Sequence, residues 1–182
     1  MTKDLVKLDL HTHIFEEFLP LNWKSSIYGV VEKLVARTKS LNLDGIAITE
    51  HDDRLYGYRV KEIVEHYFNS EILIIPGREV ERWPIHLVEL DLPCSNGVTT
   101  FRFLAHPGYP GEPDDNFDGI SGIEIENAMH NWHLDRERIR NVAERHNLVL
   151  LSNSDAHYFS DIGKCYSKVS IADLCRRAKS LR

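Results

Sequence analysis

An α/β fold is predicted by three features of the sequence. Apolar positions switch repeatedly between short stretches of period two and longer stretches at helical spacing. No internal repeat, low-complexity tract or Ser/Gly linker interrupts that alternation, and most histidines and acidic residues of chemical interest fall at the ends of the strand-like stretches. In a barrel of parallel strands, such positions converge on one rim from distant parts of the chain.

The elements follow in order. Val6, Leu8 and Leu10 alternate with Lys7, Asp9 and His11, which predicts a first strand. After a loop, Val30, Val31, Leu34, Val35 and Leu41 carry helical spacing. Residues 45–48 are a second, apolar strand, and a helix is predicted over about 58–68. A third strand at 72–75 is expected to stop at Pro76-Gly77. Further strands are predicted at 85–90, 101–105, 120–125 and 148–151. Ile139, Val142 and Ala143 place a helix over about 134–146, and a short helix near 171–181 follows.

At 182 residues and 42% hydrophobic content, the chain suits one domain, 1–182, better than two. The net charge of -6 provides no global positive field, so binding along a nucleic-acid backbone is not favoured, although a local phosphate pocket is compatible with it. Cys94, Cys165 and Cys175 form neither an even disulfide set nor a CxxC pair. No apolar N-terminal run suggests a signal peptide or membrane span, so a cytoplasmic, soluble protein is expected.

Ten histidines are the unusual feature, because imidazole both ligates metals and transfers protons near neutral pH. His11 and His13, two apart in an extended segment, leave one face of the strand and can reach one cation. Asp9 shares that face and is expected to orient a ligand imidazole. Alone, such a pair is more often just a partly exposed strand. Thr49-Glu50-His51-Asp52 follows the second strand, with His51 the ligand candidate; Glu50 and Asp52 are candidates for loop solvation or helix capping. Glu79 follows the third strand, and its two oxygens can bind separate cations. Arg78 either holds an anionic substrate or pairs with a neighbouring acid. His86, within an apolar stretch, reads locally as a core residue. His106 ends another strand before Pro107-Gly108, and Asp155 and His157 again lie two apart after residues 148–151. His130 and His133, beside Trp132, are either pocket-lining residues or parts of a polar loop; His66 and His146 read as solvated helix positions. A His/Asp/Glu set without cysteine favours hydrolytic Zn, Mn or Fe chemistry over a structural thiolate site.

Taken together, Asp9-Leu10-His11-Thr12-His13, Thr49-Glu50-His51-Asp52, Glu79, His86, Ala105-His106-Pro107 and Asn153-Ser154-Asp155-Ala156-His157 resemble the PHP (polymerase and histidinol phosphatase) superfamily. The resemblance implies a distorted TIM-like (β/α)7 barrel with two or three divalent metal ions at its carboxyl-terminal rim. It implies that His11, His13, Glu79 and Asp155 bind one metal, that Glu79 bridges to a second held by His86 and His106, and that His51 and His157 bind a third. It thereby raises His86 from core residue to ligand. The family's further ligand just beyond the first histidine pair would fall to Glu16 or, preferentially, Glu17.

The chemistry expected is phosphoester hydrolysis by a metal-bound hydroxide, with Arg78, Arg54 or Arg59 holding a phosphate oxygen and Asp155 or His157 available for proton transfer. The short chain favours a small phosphorylated substrate. The alternatives are an amidohydrolase-type attack on a C–N bond and an inactive metal-binding module.

Overall fold

The structure, a computed structural model, describes residues 5–15, 23–111, 113 and 115–178, and the side chains of these except 23–26. Among the described residues there are eight strands: β1 (Val6–Asp9), β2 (Gly45–Ile48), β3 (Leu73–Arg82), β4 (Ile85–Cys94), β5 (Gly97–Ala105), β6 (Gly122–Asn127), β7 (Val149–Asn153) and β8 (Ser167–Val169). Four helices are described: α1 (Trp23–Ser40), α2 (Leu55–Tyr67), α3 (Arg136–His146) and α4 (Ile171–Arg177). The strands form one sheet in the order β7-β6-β5-β4-β3-β2-β1-β8. Its two ends approach each other, where the Ser152 N–H donates to Ser167 Oγ (2.9 Å) and that hydroxyl donates to Ser152 O (2.9 Å). The sheet is therefore nearly closed into a TIM-like barrel.

Two strands run against the rest. β4 pairs antiparallel with β3 and β5, and β8 pairs antiparallel with β1. The parallel (β/α) repeat expected throughout is thus replaced by a meander over β3–β5, which needs no crossover helices. The third strand does not stop at Pro76-Gly77. Pro76 is the last residue of β3 in register with β2, opposite Ile48, and Gly77 is the first in register with β4, opposite Leu90. The Pro-Gly pair marks a change of partner rather than a turn. A side chain at Gly77 would lie 2.6 Å from Glu89 O, so glycine permits the close approach that this change requires.

Alternation along the strands separates two layers. Leu8, Ala47, Ile75, Val88, Leu90, Leu92, Phe101, Phe103, Leu151 and Val169 pack together inside the barrel. Outside, Ile46, Ile48, Ile72 and Ile74 meet Val31, Leu34 and Val35 of α1 and Val60 and Val64 of α2. Ile123 and Ile125 meet Ile139 and Val142 of α3. Helix α3 starts where Asp135 Oδ1 accepts the Arg138 N–H (3.0 Å) and ends at Asn147 in the left-handed region (φ 53°). Leu174 of α4 is buried in the interior cluster, so this helix closes the barrel at the end where β4 finishes.

The cysteine expectation is corrected. Cys94 at the end of β4 and Cys175 in α4 form a disulfide, with Cα atoms 5.8 Å apart, and Cys165 is free. The 81-residue separation conceals the pair in the sequence, and the pairing withdraws the cysteine argument for a reducing compartment. Among the described residues, no helix is long and apolar enough to cross a membrane.

One packing constraint is directly testable. A Cβ placed on Gly45 would sit 2.2 Å from Leu73 O across the parallel β2–β3 pair, so backbone must shift to admit it. Gly45→Ala is expected to destabilise the fold by about 1–3 kcal/mol, read as a lower denaturation midpoint at unchanged m-value. An unchanged midpoint would contradict the register described.

Candidate metal centre

The rim is assembled from loops that leave the barrel strands on the side opposite α4. After β1 the chain stays extended, and Thr12 anchors it: its N–H donates to Thr49 Oγ1 (2.9 Å) and its hydroxyl to Ala47 O (2.6 Å). With Thr12 pinned towards β2, the two flanking histidines are directed together to the opposite side. Both are fully buried, and the His13 N–H donates to Ala156 O (2.8 Å), tying this segment to the loop after β7. Glu50, one of the residues read as solvated or capping, is instead buried and accepts the Phe15 N–H (2.8 Å).

Four donor atoms converge at the barrel mouth. His11 Nε2 and His13 Nε2 are 3.0 Å apart. Glu79 Oε2 lies 3.5 and 3.3 Å from them, and Asp155 Oδ1 lies 3.6 and 3.4 Å from them. A tetrahedron whose corners sit about 2.0–2.1 Å from a central zinc has edges of about 3.3–3.4 Å. Each carboxylate oxygen lies close to that distance from both imidazole nitrogens, and His11, His13 and Glu79 form one three-donor group that could hold a cation. The other oxygen of Glu79 faces a second group, with Oε1 3.0 Å from His86 Nδ1 and 3.0 Å from His106 Nε2. His51 Nε2 lies 3.1 Å from Glu79 Oε2, and His157 Nε2 lies 3.7 Å from Asp155 Oδ1. Their rings lie against His13, at centroid distances of 4.3 and 4.8 Å. His13, Asp155 and His157 form one three-donor group, but His51 joins none among the described residues. Glu16 and Glu17 lie outside the described residues.

The buried charge at this site favours cations of some kind. Burial opposes ionisation of Glu79, Asp155 and Glu124, yet the surrounding imidazoles hold all three carboxyls below the usual range. Burial likewise disfavours a charged His11, but Asp155, Glu79 and Glu124 together raise its pKa well above the ordinary value. Protons on histidine balance the carboxylates here, and a metal ion would displace them.

The backbone is strained at two of these positions. His106 (φ 25°) and Asp155 (φ 55°) both have positive φ. Hydrogen bonds hold them: the His106 N–H donates to Glu124 Oε2 (2.8 Å) and the Asp155 N–H to His11 O (2.9 Å). Asp155 and His157 therefore reach the same cluster through a bend, not through the extended segment that their spacing suggested.

Two expectations are corrected. Arg78 does not join the cluster, because it neighbours Glu79 in β3 and alternation sends it to the opposite face. There its Nε donates to Glu89 Oε2 (2.9 Å), within a network that includes Arg54, Arg102 and Asp91. Asp9 does not orient an imidazole. It is buried and accepts from the Ser154 N–H (3.0 Å), the Ser154 hydroxyl (2.5 Å) and the Gly163 N–H (2.9 Å), thereby fixing the loop that carries Asp155. Burial raises its carboxyl to about 6 despite these bonds.

Comparison with known proteins is consistent with this arrangement. Residues 133–182 match a family model described as PHP-associated. A candidate metal-dependent phosphoesterase from Bifidobacterium adolescentis has a similar crystal structure, with a TM-score of 0.65 at 14% identity, covering 94% of each chain. An amidohydrolase from Chromobacterium violaceum, whose structure holds sulfate and no metal, has a similar fold, with a TM-score of 0.60 at 14% identity, over 93% of this chain and 96% of that one. No curated protein matches the sequence.

The residue most clearly missed in the sequence is Glu124. Fully buried on β6, it faces His11 Nδ1 (3.1 Å) and accepts from Asn153 Nδ2 (2.8 Å) through Oε1, and from Asn127 Nδ2 (2.8 Å) through Oε2. With Nδ1–H directed at Glu124, Nε2 is the nitrogen that His11 would offer to a cation once its proton is displaced. A signal was available: Glu124 is an acid between Ile123 and Ile125, at an inward position of an otherwise apolar strand.

Two outcomes are expected. Glu124→Gln should weaken Zn or Mn binding about 10–100-fold by titration calorimetry with the fold intact; unchanged affinity would remove Glu124 from this role. At Glu89, burial favours the neutral acid, but Arg102, Arg78 and Arg54 outweigh it and lower the carboxyl from 4.5 to about 2. A lowered pKa stabilises the fold above the unfolded value, and that stabilisation is lost as pH falls from about 4.5 towards 2. Across that window wild type should lose up to about 3 kcal/mol more than Glu89→Gln, measured by urea unfolding; parallel losses would contradict the network.

Proposed function

We propose that this chain is a metal-dependent hydrolase acting on phosphoesters. The observation that carries the reading is the pair of adjoining donor groups joined by Glu79, one oxygen facing His11 and His13 and the other facing His86 and His106. The donor chemistry fits two divalent ions of the Zn, Mn or Fe type. His11, His13, Glu79 and Asp155 would hold the first, and Glu79, His86 and His106 the second. His157 and His51 would serve a third.

Bound there, such ions would neutralise a phosphoryl oxygen and lower the pKa of an attacking water. The protein's own contribution is positional and electrostatic. Among the described residues, the ion-pair partners of Glu79 and Asp155 are all histidines. Among the described residues, then, no lysine or arginine pairs with these carboxylates, and without a metal they would oppose an anionic substrate. Turnover should be strictly metal-dependent for this reason. Glu124 orients His11, Asp9 fixes the Asp155 loop, and His157, partly exposed beside Asp155, is available to move a proton on the solvent side.

The similar candidate phosphoesterase supports a P–O bond, and the net charge of -6 favours a small phosphorylated substrate over nucleic acid. A second reading, hydrolysis of a C–N bond, draws support from the similar amidohydrolase. Elemental analysis combined with phosphoester and amide panels under Mn, Zn and Fe supplementation separates the two. Asp155→Asn is expected to lower metal content and turnover together; full activity in that variant would sink the proposal.

A further inference from the structure

The mouth of the barrel carries a feature that hydrolysis alone does not require. Starting from His106, ring contacts run outward without a break. His130 packs on His106 with centroids 4.4 Å apart, and Tyr109 packs on His130 at 4.6 Å, with an interplanar angle of 32°. His133 lies 5.7 Å from Tyr109 and 5.2 Å from His130, and Trp132 meets His133 edge-on at 4.6 Å. The outer members are open to solvent: Tyr109 is 44% exposed and Trp132 79%. Trp83 in the β3–β4 turn is 84% exposed, and the loop carrying Tyr109 abuts that turn where Gly111 meets Pro84.

Structural needs do not account for this wall. Trp132 and Trp83 contribute almost nothing to the core, and large aromatic surface exposed at a site's rim is the kind of patch that marks a binding surface. The inner end is fixed: the Tyr109 carbonyl lies 3.1 Å from His106 Nδ1, and His130 Nε2 lies 3.7 Å from Asp155 Oδ2.

We propose that the Tyr109–His130–His133–Trp132 wall binds a planar aromatic group on the substrate, one carried next to the group held at the metal donors. This rests on the phosphoester reading for the identity of that second group. Stacking on such rings tolerates differences among heteroaromatic groups, since each presents a π-face. The wall therefore selects for a flat ring rather than for one base or aryl group.

Binding tests the wall without requiring turnover. Titration calorimetry of the metal-loaded protein with adenosine 5′-monophosphate and with ribose 5-phosphate compares the same phosphoester with and without a planar ring. The nucleotide should bind about tenfold more tightly, and in Trp132→Ala and Tyr109→Ala the ratio of the two affinities should fall towards one. Equal affinities in the wild type, no binding of the nucleotide, or a ratio untouched by both substitutions would overturn the proposal. A retained tenfold preference with hydrolysis of neither compound would support the wall while counting against the phosphoesterase reading.

Discussion

Burying Glu79, Glu124 and Asp155 together at one end of a barrel is unfavourable unless positive charge is buried with them. That constraint organises the rest of the mouth. Among the described residues, every ion-pair partner of these carboxylates is a histidine, a side chain that can carry the balancing proton and release it when a metal binds. Fixed cations such as Arg54, Arg78 and Arg102 are kept outside the barrel, where they neutralise Glu89 and Asp91. Two charge systems thus occupy opposite faces of β3 and β4: a permanent one outside and an exchangeable one inside.

The fold makes this separation by alternation. In β3, Arg78 and Glu79 are neighbours in sequence and belong to different networks, because successive side chains leave opposite faces. In β4, His86 faces the mouth while Glu89 and Asp91 face outward with the arginines. The antiparallel course of β4 is what brings His86, at the beginning of a strand, to the same rim as ligands that follow other strands. Positive φ at His106 and Asp155 adds local strain, and their hydrogen bonds to Glu124 and His11 hold them in it.

The sequence made much of this legible, and the gaps have physical causes. Strand positions for β1, β2 and β4 to β7 were readable from period two and apolar runs, because burial on at least one face writes that pattern. β8, three residues long with a lysine at its centre, carries too little pattern to be read. The path of β3 through Pro76-Gly77 was misread because local turn chemistry cannot reveal a change of strand partner. His11 and His13 were legible through their spacing. His86 was not, since an antiparallel strand's contribution to a rim depends on topology. Glu124 escaped notice because a residue that orients a ligand needs no motif of its own, and the roles of Asp9 and Arg78 depended on partners 145 and 11 residues away in sequence.

The central claim is that the buried donors joined by Glu79 form a multinuclear cation site. Anomalous diffraction from crystals of the manganese-loaded protein tests it most directly. The account predicts one peak enclosed by His11, His13, Glu79 and Asp155, and a second bounded by Glu79, His86 and His106. Manganese bound elsewhere, or no peak among these donors in the loaded crystal, would contradict it.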